Sequence, residues 1–209
     1  MKHEWRKSEK HLYLPKMKPE FIEIPAFKFI TIKGEGNPNG PEFEKCVTAL
    51  YAVAYGIKMT AKKENKLPGY YDFTVYPLEG VWDLNEKGRE SFNGIIDKND
   101  LVYTLMIRQP DFVDEIFFKK VREQAKAKNQ NSYLEKVCFE SIKEGPCVQM
   151  LHLGSYDDEP ASFKVMEDWA KEKRLNRKSK IHKEIYLSDA RRVEPSKLKT
   201  VLRFEVASE

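Results

Sequence analysis

Cysteine is scarce in this sequence: Cys46, Cys138 and Cys147 are the only three, an odd number without C-x-x-C spacing. That excludes a disulfide framework and a cysteine-based zinc site, and leaves buried thiols as the expectation. Histidine is nearly as sparse, and His3, His11, His152 and His182 show no paired metal-ligand spacing, so no metal or other cofactor is expected. No apolar run approaches the ~20 residues that a membrane-spanning helix needs. The opening Met1-Lys2-His3-Glu4-Trp5-Arg6 also lacks an apolar segment of signal-peptide type. The expectation is a soluble, cytoplasmic protein with no membrane association, a monomer or weak dimer.

An excess of one charge is missing too. The 37 Lys and Arg are set against 33 Asp and Glu, a net charge of +4, and the two signs are interspersed. The densest basic stretch, from Lys171 to Lys180, reads as the charged end of a helix and the loop after it, where cations complement the helix dipole. No DNA-reading module accompanies it, so a direct nucleic-acid partner is not expected. What is present is enough for a core: 209 residues, 41% hydrophobic and 33% charged, suit one globular domain or two intimately packed halves.

Along the chain, residues 1–19 form a charged lead expected to pack on the body through Trp5, Leu12, Tyr13 and Leu14. Phe21 to Lys33 alternates as a strand. A turn-rich loop, Gly34 to Pro41, follows; its glycines fit neither a Walker loop nor a dinucleotide fingerprint. Phe43, Cys46, Val47, Leu50, Val53, Ala54 and Ile57 then recur at helical spacing, closed by Pro68-Gly69. Tyr70–Tyr76 and Leu78–Trp82 read as aromatic strand interrupted by Pro77, Asn85–Asp100 as loop, and Leu101–Ile107 as strand. A helix is expected from Gln109-Pro110-Asp111, with Val113, Ile116, Phe117, Val121 and Ala125 as its buried stripe.

The order then repeats. Cys147–Leu153 reads as a strand, Gly154–Asp158 as a loop, and Pro160 with Phe163, Met166, Trp169 and Ala170 as a helix. A strand around Glu184 and another over Leu198–Val206 close the set. Strand, helix, strand, strand thus occurs twice, at about 21–108 and 138–206, which predicts an α+β fold of tandem duplicated βαββ modules with a central cleft between two antiparallel sheets. Interfaces between similar units are favoured places for pockets.

One strand carries the chemistry. In His182-Lys183-Glu184-Ile185-Tyr186-Leu187-Ser188, Glu184 and Tyr186 fall on one face and Lys183, Ile185 and Leu187 on the other. A carboxylate among apolar neighbours must be paired, solvated in a cavity or protonated, and each condition suits a cationic or proton-requiring ligand. The alternative is an acid on a solvated face bonded to a nearby Lys or Arg. Aromatic residues make up 12% of the chain, and Tyr71, Phe73, Trp82, Tyr103, Tyr133, Tyr156 and Tyr186 fall in strands or loops that can face the cleft. Flat rings stack on planar ligands and stabilise cations; they also fill cores.

Six segments, taken in order, resemble the GyrI-like small-molecule-binding family over nearly the whole chain. They are Pro25–Ile30 with Gly34–Asn39, Leu50–Tyr55, Pro77–Trp82, Met106–Val113, Gly154–Pro160 and Glu184–Arg192. The resemblance implies a tandem βαββ fold with a buried glutamate and an aromatic cage for planar, often cationic compounds. No helix-turn-helix domain is attached, which argues against a transcription regulator. A stand-alone subfamily of similar length resembles cyclopropanoid cyclopropyl hydrolases, which open the strained cyclopropane of DNA-alkylating natural products such as yatakemycin.

On that resemblance Glu184 and Tyr133 are the catalytic candidates, one acting on water and the other on the developing phenolate. Trp82, Tyr103, Phe73, Tyr71, Tyr156 and Tyr186 are the ligand-binding ones. Trp82 is followed by Asp83, where relatives often place a second tryptophan. The second reading is a binding module without chemistry that sequesters planar xenobiotics or inhibits a partner such as gyrase.

Overall fold

The computed structural model describes residues 2–64, 67–94 and 96–208. Ile95, within the loop expected over Asn85–Asp100, and Asn65 and Lys66, between the first long helix and Pro68, lie outside the described residues. The chain forms two compact units. The first comprises Phe27–Tyr76 and Trp82–Ile142 with the opening residues; the second comprises Trp5–Ala26, Pro77–Val81 and Lys143–Glu209.

In the first unit, strand β1 (Glu20–Glu35) contributes its later residues, which pair antiparallel with β3 (Leu101–Gln109) in the register Ile30↔Ile107 and Gly34↔Tyr103. Phe29, Ile30, Thr31 and Ile32 are all buried. Successive side chains point to opposite faces, so both faces are covered here. Helix α3 (Pro41–Glu64) starts with Pro41, Glu42 and Glu44 and ends with Lys62 and Lys63, each suited to its end of the dipole. Its stripe of Cys46, Ala49, Leu50, Val53, Ala54, Ile57 and Ala61 is buried. α5 (Glu115–Lys128) runs beside it, joined by Thr60–Gln124 and Lys120–Glu64 side-chain contacts.

Several expectations are corrected. Residues 70–76 are not a strand: apart from a single bridge from Phe73 to His3, pairing begins only in β2 (Leu78–Leu84). The aromatic run packs around Phe112, with the rings of Tyr70, Tyr71 and Phe73 at 5.4, 5.4 and 6.0 Å from it. The stretch 85–100 holds a helix, α4 (Glu86–Glu90), started by the Asn85 side chain accepting from the Gly88 N–H, and a 3-10 turn at Lys98–Asp100. α5 begins at Glu115, not at Pro110, because Asp114 caps it through a 2.7 Å bond from the Phe117 N–H. That start puts Phe118 in the buried stripe and leaves Ile116 80% exposed.

The second unit opens with two short helices, α1 (Trp5–Ser8) and α2 (Lys10–Tyr13), where a bare arm was expected. Trp5, Leu12 and Tyr13 are buried, but Leu14 is exposed. β4 (Cys138–Leu153), β5 (Leu175–Arg177) and β6 (His182–Tyr186) all have antiparallel partners in β7 (Lys199–Ser208). α6 (Glu159–Glu172) covers β4 and β7 through a core of Val148, Met150, Met166, Ala170, Leu202, Phe204 and Val206, with Phe163, Trp169 and Leu175 against it. Cross-strand pairs Val148↔Phe204 and Met150↔Leu202 supply the sheet side of that core.

The far face of β6 is ionic. Lys183 lies directly opposite Arg203 in the register, a like-charge pair that is unfavourable without anions. Glu144 Oε1 accepts from Lys183 Nζ at 2.7 Å and lies 3.5 Å from Arg203 Nη1, and Glu79 Oε2 accepts from Lys183 Nζ at 3.0 Å. Burial alone would raise the Glu144 carboxyl, but the Lys183 and Arg203 cations outweigh it and hold it below its ordinary value. Arg203 Nη2 also donates to the Leu12 carbonyl and to Gln149 Oε1, while Gln149 Nε2 donates to the His11 carbonyl and Glu20 Oε1. The opening helices are thereby tied to the sheet by buried polar groups.

Candidate functional site

Glu184 sits on the opposite face of β6, in the register Glu184↔Leu202, and is 9% exposed. The strand's period of two places Tyr186 beside it, and the Tyr186 hydroxyl donates to Glu184 Oε2 at 2.8 Å. His182 Nε2 lies 3.1 Å from Glu184 Oε1 and donates to it in the tautomer that carries its proton there. The His182 ring meets the edge of Phe163 on α6, with centroids 4.7 Å apart. Lys or Arg pairing of this acid, the bland alternative, is not what the side chain shows: its ion-pair partner among the described residues is His182.

A second carboxyl, unassigned by the sequence reading, completes the cluster. Glu159 is the first residue of α6, is buried, and leaves Oε1 without a hydrogen-bond donor. Burial pushes its carboxyl up to about 10, and the neighbouring charge of Glu184, contact with it, and Asp157 act in the same direction. Two carboxylates have no proton to offer each other, so this contact becomes a hydrogen bond only when one is protonated. Burial and this contact thus favour the neutral form of Glu159 well above the ordinary carboxyl range. Glu159 stands in the Gly154–Pro160 segment, yet nothing in its own neighbours distinguishes it from a helix-starting acid that complements the dipole.

The loop before α6 is held from both ends. Gly154 has φ +140°, a conformation closed to most L side chains. His152, itself buried, bridges Ser162 Oγ at 2.9 Å and the Ser155 carbonyl at 3.0 Å. The Asp157 N–H bonds back to Ser155 Oγ. This fixes the 3-10 turn Tyr156–Asp158 and with it Tyr156, whose ring meets Tyr186 edge-on at 5.9 Å. Partial burial and the charges of Glu184, Glu159 and Asp189 push the Tyr156 phenol up to about 12. Glu184, Tyr186 and Tyr156, all singled out in the sequence, come together here with His182, Phe163 and Glu159.

The remaining candidates belong to the first unit. Trp82 stacks on Phe43 with centroids 5.9 Å apart and planes 21° apart, and Tyr103 packs edge-on to Phe43 at 5.2 Å and lies 5.3 Å from Trp82. The Tyr103 hydroxyl is hydrogen-bonded to Cys46, and burial, with Cys46 beside it, raises the phenol well above its ordinary value. Burial raises the Cys46 thiol as well, so it is not a ready nucleophile. The Tyr103 ring reaches over its cross-strand partner Gly34, where an added Cβ would stand 2.5 Å from it. Phe73 is buried and Tyr71 half-buried about Phe112. Tyr133, on a 3-10 turn (Ser132–Lys136), carries the Lys136 ammonium at 4.2 Å and the Lys45 ammonium at 6.0 Å from its ring centroid.

Among the described residues no group of three His, Cys, Asp or Glu is disposed to hold a metal, and no helix is long and apolar enough to cross a membrane. Two surface depressions, of about 320 and 350 Å³, are lined by Leu84–Asp100 residues and by residues between Glu167 and Lys180; they include none of the candidates.

The chain belongs to the family of the GyrI-like small molecule binding domain, whose model matches residues 17–207. It is similar to two solved structures of hydrolases from Listeria innocua. One is 36% identical, with a TM-score of 0.87, over 98% of this chain and 100% of that one; the other is 37% identical, with a TM-score of 0.89, over 99% and 100%. The C-terminal domain of EcmrR shares the fold at 13% identity, with a TM-score of 0.52, over 92% of this chain and 98% of that one. No match was found among curated proteins.

Proposed function

We propose that this protein takes up planar aromatic, often cationic compounds and hydrolyses the cyclopropane of DNA-alkylating cyclopropanoid natural products of the yatakemycin type. The observation that carries the reading is Glu184: a buried carboxylate gripped by Tyr186 and His182 and bordered by aromatic side chains. The hydrolase description of the two Listeria innocua relatives supports it at the level of reaction class. The occurrence of strand, helix, strand, strand as β1-α3-β2-β3, with α4 inserted before β3, and as β4-α6-β6-β7, with β5 inserted before β6, supports a duplicated module as the origin of the fold.

In this reading Glu184 positions a water and takes its proton as the oxygen attacks a cyclopropane carbon. The ring C–C bond breaks, its electron pair moves into the conjugated carbonyl, and a phenolate develops, which a tyrosine hydroxyl, Tyr133 by preference, stabilises. Trp82, Tyr103, Tyr71, Phe73, Tyr156 and Tyr186 are the rings proposed to bind the aromatic body. Ring strain already lowers the barrier, so holding the substrate matters more than a strong base.

Incubation with a cyclopropane-bearing alkylator, followed by mass spectrometry, tests the proposal: wild type converts it catalytically to the adduct of one water. Glu184→Gln lowers the rate by about 100-fold or more, and Tyr133→Phe by less. A Glu184→Gln variant of normal rate removes Glu184 from the mechanism. One observation favours sequestration as the second reading: both Glu184 oxygens are already engaged by Tyr186 and His182, as in a fixed counter-charge. Tight binding without turnover is its signature.

A further inference from the structure

The two carboxyls of the cluster have a consequence for what the site accepts and at what pH. Glu159 and Glu184 are in contact, both are buried, and Glu159 Oε1 has no hydrogen-bond donor. The groups around them are acids, phenols and one imidazole. β6 brings His182 and Tyr186, the 3-10 turn brings Tyr156, Asp157 and Asp158, and Asp189 follows β6. The nearby cations are committed elsewhere. Arg177 of β5 is bonded to Glu167 and lies 5.2 Å over the Phe163 ring, Lys183 of β6 is bonded to Glu79 and Glu144, and Arg191 and Arg192 pair with Asp189.

We propose that Glu159 and Glu184 hold one proton between them when the site is empty, and that an aromatic cation entering beside them displaces it. Ligand uptake is then a cation-for-proton exchange. This rests on the planar-ligand reading above and adds to it the proton exchange and the role of Glu159. A positive charge a few ångströms away favours the ionised form of a carboxyl, whereas a neutral ring of the same shape leaves the proton in place. The burial that raises Glu159 in the empty site makes the exchange visible near neutral pH.

The experiment compares N-methylacridinium with acridine, rings of nearly the same shape with and without a permanent charge. Binding to the full-length protein is followed by calorimetry in phosphate and in Tris, whose ionisation enthalpies differ, between about pH 7 and 9. N-methylacridinium is expected to release on the order of one proton where the exchange is complete, and its Kd to fall by up to about tenfold per pH unit below that point. Acridine releases none and binds with a flat pH profile. Glu159→Gln binds the cation with no proton release.

If the folding of that variant is in doubt, the side-chain carboxyl 13C shifts of wild type answer the same question. One glutamate keeps the protonated shift above pH 7 and loses it when the dye is added. Binding of N-methylacridinium without proton release, or unchanged release from folded Glu159→Gln, overturns the exchange and leaves the planar-ligand reading standing. Failure of both dyes to bind overturns both.

Discussion

At the scale of single residues, the burial of Glu159 ties the stability of the fold to pH. An acid whose folded pKa is raised is protonated in the fold and ionised in the unfolded chain at the same pH. Glu159 therefore costs stability increasingly as pH rises from its ordinary 4.5 towards about 10, on the order of 1 kcal/mol per pH unit. Glu159→Gln keeps a neutral side chain that can donate to Glu184. It is expected to flatten the fall in urea-unfolding free energy between about pH 6 and 9 and to be more stable than wild type at the alkaline end. A variant whose pH slope matches wild type would mean that Glu159 is already ionised. On the other face of β6, Lys183→Met leaves Glu79 and Glu144 buried without their shared cation, and is expected to cost ~3–5 kcal/mol.

Elements show where a side chain's environment comes from its own strand and where it comes from elsewhere. Gly34 and Tyr103 are a cross-strand pair in which the missing Cβ is the space the ring occupies. Gly34→Ala is expected to push the Tyr103 ring aside and cost ~1–3 kcal/mol in denaturant unfolding, with a changed near-UV circular dichroism signal from Trp82 and Tyr103. An unchanged spectrum would show that the ring has room to retreat.

The pairing of Glu184 with Tyr186 was legible in the sequence because a strand's alternation is local and needs no partner to be read. The stripes of α3 and α6 were legible for the same reason at helical period. Residues 70–76 misled because aromatic enrichment reports a taste for packing, and these rings satisfy it around Phe112 without a ladder. The start of α5 misled because Pro110 competes as a first-turn signal with Asp114, whose side chain makes the cap. Glu159 was not legible as a site residue: its peculiarity is contact with Glu184, 25 positions later in the chain.

For the whole molecule, the signs of these shifts set a pH optimum. Glu144 is held below its ordinary 4.5, so its contribution is present above that value and is lost as pH falls through the folded pKa. Glu159 works the other way, its cost growing as pH rises above 4.5. Together they predict that Tm measured against pH peaks on the acid side of neutrality, at about pH 5 to 6, with a steep fall below about pH 4. In Glu159→Gln the peak broadens towards neutral pH while the acid limb stays where it was. An alkaline optimum in wild type would contradict the assignment of Glu159.

The grip of Arg203 and Gln149 on the carbonyls of Leu12 and His11 has a practical corollary. Trimming the chain before Pro15 to tidy it for crystallisation would unplug two interior donors and admit water to the ionic side of β6, one residue away from Glu184. A protein shortened in this way is expected to lose ligand uptake before it loses its helices, and a fusion partner is better carried at the other end.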